Sequence, residues 1–94
     1  MTAYLIANVV VTNPEKYEDY KRLSTRAMSS SNAKVLARGG AVEALEGKAP
    51  GRTVILEFPS MTAARAFYDS WQYRRARNAR ERASITTMYI VEGL

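Results

Sequence analysis

The sequence predicts one α+β domain over residues 1–94, with two helical stretches on one face of a four-stranded antiparallel sheet in the order β-α-β-β-α-β. Three observations predict it. The chain opens on an apolar run, Ala3 to Val11, with apolar residues at both alternations, the mark of a strand covered on both sides. Two later stretches carry apolar residues at helical spacing, each opened by a capping residue. Between them stand two strand-like runs joined by a turn-rich segment, and an alternating strand closes the chain. At 94 residues, 47% apolar and 24% charged, the chain has room for one core and the balance of a globular protein.

In β1, Leu5, Ala7, Val9 and Val11 point one way and Tyr4, Ile6 and Val10 the other. Asn13-Pro14 starts the first helix, because Asn is a good N-cap and Pro needs no N–H partner in the first turn. Tyr17, Tyr20, Ser24, Ala27 and Met28 fall within roughly 100° of arc, a buried stripe. Ser29-Ser30-Ser31-Asn32 ends the helix. The second strand is expected over Lys34 to Glu46, with a bulge or bend at Gly39-Gly40. Residues 47–51 form the hairpin loop and Thr53 to Phe58 the third strand, stopped by Pro59. Ser60 caps the next helix, with Ala64, Phe67, Tyr68 and Trp71 on its buried face. A further helical stretch runs from about Tyr73 to Ala83, and Ile85 to Val91 is the last strand. This is the split βαβ, or ferredoxin-like, pattern.

Such an architecture leaves one sheet face bare. Folding the hairpin about its loop pairs residues whose numbers sum to roughly 98. That register puts Val42, Ala44, Val54, Leu56 and Phe58 under the helices and Glu43, Leu45, Ile55 and Glu57 on the other face. Either that face is half-wet, as in many antiparallel sheets, or it packs against a second copy across a two-fold axis. The apolar content favours the homodimer.

Composition removes much chemistry. With no His and no Cys, there is no thiol nucleophile, imidazole base or ordinary zinc, copper, haem or iron–sulfur site, so neither metal nor cofactor is expected. There is no G-x-x-x-x-G-K-[ST], G-x-G-x-x-G or G-x-S-x-G. The apolar start is too short to span a bilayer and lacks a positive n-region, so a cytoplasmic protein without membrane partners is expected. The net charge of +5 is concentrated: residues 71–84 hold five arginines against Glu81, giving 5 − 1 = +4. Around the helix the arginines scatter, while Ala76, Ala79 and Ala83 form a narrow inward stripe. No strand carries the aromatic-rich signature of RNA-binding sheets. A solvated helix face is the better reading, and nucleic acid is not an expected partner.

Several segments carry a resemblance. Tyr17-Glu18-Asp19-Tyr20, Arg38 to Gly47 (RGGAVEALEG), Glu57-Phe58-Pro59-Ser60, and Ala64 to Ser70 followed by Tyr73 resemble the domain of unknown function 1330 family across essentially the whole chain. The resemblance implies a homodimeric α+β barrel of ferredoxin-like class, in a superfamily that also holds cofactor-free monooxygenases and small isomerase-like enzymes. It implies no particular reaction. The chain departs from the family pattern at Ser70-Trp71-Gln72-Tyr73, where a proline break is missing and the two helical pieces are expected to run more continuously.

Candidate site residues follow from chemistry. Glu57 sits between Leu56 and Phe58, and the register places Glu43 one diagonal step away. Two carboxylates in a dry cleft would raise one pKa and supply a general acid or base; exposed or ion-paired carboxylates would not. Arg38, before Gly39-Gly40, is a candidate to hold an anionic substrate, or else a solvated strand end. Asn8 either lines a pocket or satisfies neighbouring backbone. Tyr68 and Tyr73 offer aromatic walls and hydroxyl donors, and Tyr68 also fits the core stripe. The expected function is binding of a small organic molecule between sheet and helices, with cofactor-independent acid–base catalysis as the enzyme reading. The alternative is a non-catalytic interaction module whose main site is the dimer face.

Overall fold

Alternating burial along the first strand sets the two layers. In the computed structural model, which describes residues 1–49 and 51–94, β1 (Ala3–Val11) buries Ala3, Leu5, Ala7 and Val9 beneath the helices. The intervening Tyr4, Ile6 and Asn8 are half-buried and Val10 is exposed on the opposite face. The other elements are α1 (Pro14–Ser29), β2 (Lys34–Arg38), β3 (Arg52–Phe58), α2 (Met61–Asp69), α3 (Trp71–Ala79) and β4 (Ser84–Glu92). All pairings are antiparallel in the order β2-β3-β1-β4, the ferredoxin-like arrangement. The Cα extents of 34 × 33 × 16 Å leave a thickness of one sheet and one helical layer. Among the described residues no helix is long and apolar enough to cross a membrane.

Local chemistry places the helices as the spacing predicts. Asn13 caps α1, accepting from the Lys16 N–H at 3.1 Å, and its stripe of Tyr17, Tyr20, Ser24, Ala27 and Met28 is buried. Ser60 caps α2 through the Ala63 N–H at 3.0 Å. Phe58, Phe67 and Tyr73 stack in sequence, with ring centroids 5.4 and 4.7 Å apart, joining β3, α2 and α3 in one aromatic core.

The structure corrects several expectations, first in the second strand. The second strand stops at Arg38 instead of continuing to Glu46. Gly39 takes φ +71°, which turns the chain out of the ladder, and its N–H makes a last bond to the Thr53 carbonyl at 2.9 Å. Residues 41–49 are exposed and form no strand; Pro50, in the expected hairpin loop, lies outside the described residues. The register therefore sums to 91 or 92 (Lys34↔Glu57, Ala37↔Ile55), not 98, and the irregularity falls between Val35 and Ala37. Glu43 is left in the exposed loop, away from the ladder that holds Glu57.

The second helical region is also broken despite its missing proline. Ser70 has extended backbone (φ −63°, ψ 151°) and serves both helices. Its Oγ donates to the Phe67 carbonyl at 2.7 Å and accepts from the Tyr73 N–H at 3.2 Å, so one serine ends α2 and caps α3. The break moves Trp71 off the expected buried stripe to the first turn of α3, where it is 63% exposed. Helix α3 starts two residues early and ends at Ala79; residues 80–83 form a turn in which Arg82 has φ 64°.

Candidate functional site

Where α2 passes over the edge strand β4 a groove of about 860 Å³ opens. Its floor is apolar, formed by Leu5, Met88 and Ile90, with Met61 and Ala66 on the helix side. Arg65 and Asp69 also line it and neutralise each other across one helical turn, with Nε to carboxylate oxygen at 2.9 Å. Tyr68 and Thr62 also line it from α2, and Tyr89 from β4. An apolar concavity with a few polar groups is the usual form of a small-molecule site.

The break at Ser70 brings α3 back against Tyr68. Arg77 lies over the Tyr68 ring, its guanidinium carbon 4.1 Å from the centroid, and its Nη1 donates to the Tyr68 hydroxyl oxygen at 3.1 Å. Arg65 flanks the same ring at 5.7 Å. The tyrosine oxygen therefore accepts from a cation, while its own proton has no acceptor among the described residues. Among the described residues the buried Arg77 Nε–H has no partner, and no carboxylate forms an ion pair with Arg77.

Behind Met88 lies a second tyrosine–arginine cluster. Tyr20 and Tyr73 share a 2.7 Å hydrogen bond, and Arg80 Nη1 donates to the Tyr73 oxygen at 3.1 Å. The Arg80 guanidinium lies 5.0 Å from the Tyr20 ring centroid, and Arg52 approaches Tyr17 at 6.0 Å. Burial, reinforced by Tyr73, holds the Tyr20 phenol well above the usual range. Burial likewise raises Tyr73, against the opposing pull of Arg80. Tyr73 also points its hydroxyl at the Met88 sulfur, 4.0 Å away, so one side chain separates it from the groove.

Of the five residues singled out by sequence, the structure brings together two. Tyr68 and Tyr73 have ring centroids 5.9 Å apart on the helix side of the sheet. Asn8 and Glu57 stand on the opposite, open face: Asn8 accepts from the Thr53 hydroxyl at 3.3 Å, and Glu57 lies across from Tyr4 and Lys34. A pocket between sheet and helices cannot contain them, because neighbouring strand positions alternate faces. Arg38 turns toward α1, where its Nη2 contacts the Thr25 hydroxyl and the Lys21 carbonyl; its partners are structural.

Sequence reasoning passed over Arg52, Arg77 and Arg80, treating the last two as solvated. The signal was present: Tyr73, Ala76, Arg77 and Arg80 stand at i, i+3, i+4 and i+7, one helix face. Five arginines scattered around a helix still place two of them beside tyrosines that the core has already fixed.

Residues 2–94 match the family described as Domain of unknown function (DUF1330). The chain belongs to this family. No curated protein matches it. Among solved structures, a protein of unknown function from Rhodopseudomonas palustris is similar with a TM-score of 0.74 at 21% identity, covering 99% of this chain and 82% of that one. SnoaB, a cofactor-independent oxygenase from Streptomyces nogalater, has a TM-score of 0.66 at 10% identity, covering 99% and 93%. A dimeric ferredoxin-like protein of unknown function from Thermobifida fusca has a TM-score of 0.63 at 15% identity, covering 97% and 92%. At these identities the shared property is the fold.

Proposed function

We propose that this DUF1330 protein is a homodimer that binds a small organic molecule in the groove between α2 and β4 of each subunit. The observation that carries the binding reading is the groove itself: a largely apolar trough of about 860 Å³ whose polar lining residues are the Arg65–Asp69 pair, Thr62, Tyr68 and Tyr89. A molecule with an apolar body gains by leaving water there, and Tyr68 fixes its orientation. The dimer reading rests on the open sheet face, where Val10, Ile85, Tyr89 and Val91 are each 44–68% exposed, and is supported by the dimeric fold neighbour from Thermobifida fusca.

An enzyme reading follows from the same hydroxyl. A phenol loaded by an arginine donates a strong hydrogen bond to developing negative charge on a carbonyl oxygen, the requirement of cofactor-independent acid–base chemistry. The similarity to SnoaB supports this reading at the level of fold. The acid–base role for Glu57 is a separate proposal that belongs to the open face, where Lys34 and Tyr4 flank it.

The test is to fill the groove. Native mass spectrometry of the purified protein should show a retained small organic molecule, or uptake of an added apolar probe such as 2-methylnaphthalene. Ala66→Trp should abolish it, while Glu57→Gln leaves it unchanged. Binding that survives Ala66→Trp, or no binding at all, removes the groove as the site.

A further inference from the structure

Three half-buried guanidiniums, those of Arg52, Arg77 and Arg80, lie against tyrosine rings with no ion pair to a carboxylate among the described residues. The helix layer carries Glu15, Glu18, Asp19, Asp69 and Glu81, yet none of them forms an ion pair with these arginines among the described residues. The three ion pairs among the described residues are exposed and each local to its own helix: Lys21–Glu18 and Arg22–Asp19 in α1, Arg65–Asp69 in α2. A half-buried cation without a counterion loses part of its hydration, a cost that nearby negative charge offsets. Stacking on tyrosine supplies part of it. The rest is visible as an unmet need at two atoms, the partnerless buried Nε of Arg52 and of Arg77.

Only Arg77 is one contact away from open volume. Its Nη1 is spent on the Tyr68 oxygen at 3.1 Å, which leaves the Tyr68 proton without an acceptor among the described residues, on a side chain that lines the groove. We propose that the groove selects molecules with an apolar body and one anionic oxygen, a carboxylate, enolate or phenolate, which accepts the Tyr68 proton while Arg77 supplies the compensating charge. The inference rests on the groove reading above and adds the ligand class. Tyr68 touches the ligand, and Arg77 is a positioning residue that acts through it. Arg65 also lines the groove and is held to Asp69 by one exposed contact at 2.9 Å, so the Tyr68 variant below separates its pull on an anion from that of the Tyr68–Arg77 pair. The local excess of positive charge, +4 over residues 71–84, favours the same sign of ligand over the whole helix.

The chain offers its own probes for a test. Of its four methionines, Met61 and Met88 line the groove, whereas Met28 is buried in the core stripe of α1 and reports the fold. With methionine methyls labelled with carbon-13, 2-naphthoate and the neutral 2-methylnaphthalene are titrated in turn. Both are expected to shift Met61 and Met88 and to leave Met28 in place, with 2-naphthoate binding roughly tenfold more tightly, the scale of one charge-assisted hydrogen bond. Tyr68→Phe, which keeps the ring under Arg77, and Arg77→Met, which keeps the aliphatic stem, should each erase that preference without weakening 2-methylnaphthalene. An unchanged Met28 signal in each variant shows that the fold survived. Equal affinity of the two probes for the native protein, or a preference that persists in Tyr68→Phe, overturns the assignment of ligand class while the groove stands. Failure of both probes to move Met61 and Met88 overturns the groove reading and this inference with it.

Discussion

At the scale of single residues, the buried phenols of Tyr20 and Tyr73 govern how the protein responds to base. Both sit under the helices, 9% and 2% exposed, and burial raises their pKa above the ordinary phenol value of 10.0. Up to about pH 10 the folded and unfolded chains hold these protons alike, so stability is unaffected. Above it the unfolded chain releases protons that the folded chain keeps, and stability falls by about 1.4 kcal/mol per pH unit for each such group. Alkaline titration is therefore expected to unfold the protein. The tyrosinate absorbance of the buried pair should rise together with the loss of far-ultraviolet helical signal. Ionisation of these two groups at pH 10 in a fully folded chain would contradict the buried, proton-sharing arrangement. Tyr17 and Tyr20 were legible as core from their spacing in the sequence. Their partners Arg52 and Arg80 were not, because an arginine is expected to be solvated until an aromatic surface is known to lie beneath it.

Elements turn on Ser70. Without proline, the expectation was a more continuous second helical region, and the chain instead breaks where one side chain can serve two helix ends. That break gives α3 its separate direction, exposes Trp71, and carries Arg77 over Tyr68. Ser70→Ala removes the cap on α3 and the Oγ bond to Phe67, and should lower stability by about 1 kcal/mol in denaturant unfolding. It should also loosen the Arg77–Tyr68 contact, seen as increased quenching of tyrosine fluorescence by iodide. A variant as stable as the native chain would mean that packing alone holds the break. The second strand shows the opposite limit of local reasoning. The segment Ala41 to Glu46 has the alternation of a strand, yet Gly39 at φ +71° turns it away from β3 before it can pair. Alternation proposes a strand; only an available ladder makes one.

For the whole molecule, the decisive feature is a two-layer domain with one layer left open. Val10 and Ile85 face each other across β1 and β4 at 51% and 68% exposure, in the company of Tyr89 and Val91. Burial of such side chains stabilises by about 1.5–3 kcal/mol each, a substantial part of the stability of a chain of this size. In sedimentation the protein is expected at twice 10.5 kDa, and Ile85→Lys should shift it to the single-chain mass by placing a charge on that face. A native protein that sediments as one chain at high micromolar concentration would remove the dimer from the proposal.

The order of elements, the Asn13 and Ser60 caps, the buried stripe of α1 and the helix-facing side of β3 were determined by sequence alone. Each is set by contacts between residues near in the chain, or by a periodicity that one element imposes on itself. Tertiary structure decided which candidate residues meet. The pairing of Tyr68 with Arg77, the separation of Glu57 and Asn8 from the groove, and the shift in hairpin register all depend on where distant segments come to rest. A residue's face on its own strand or helix follows from local geometry, but what stands opposite it is fixed only when the layers pack.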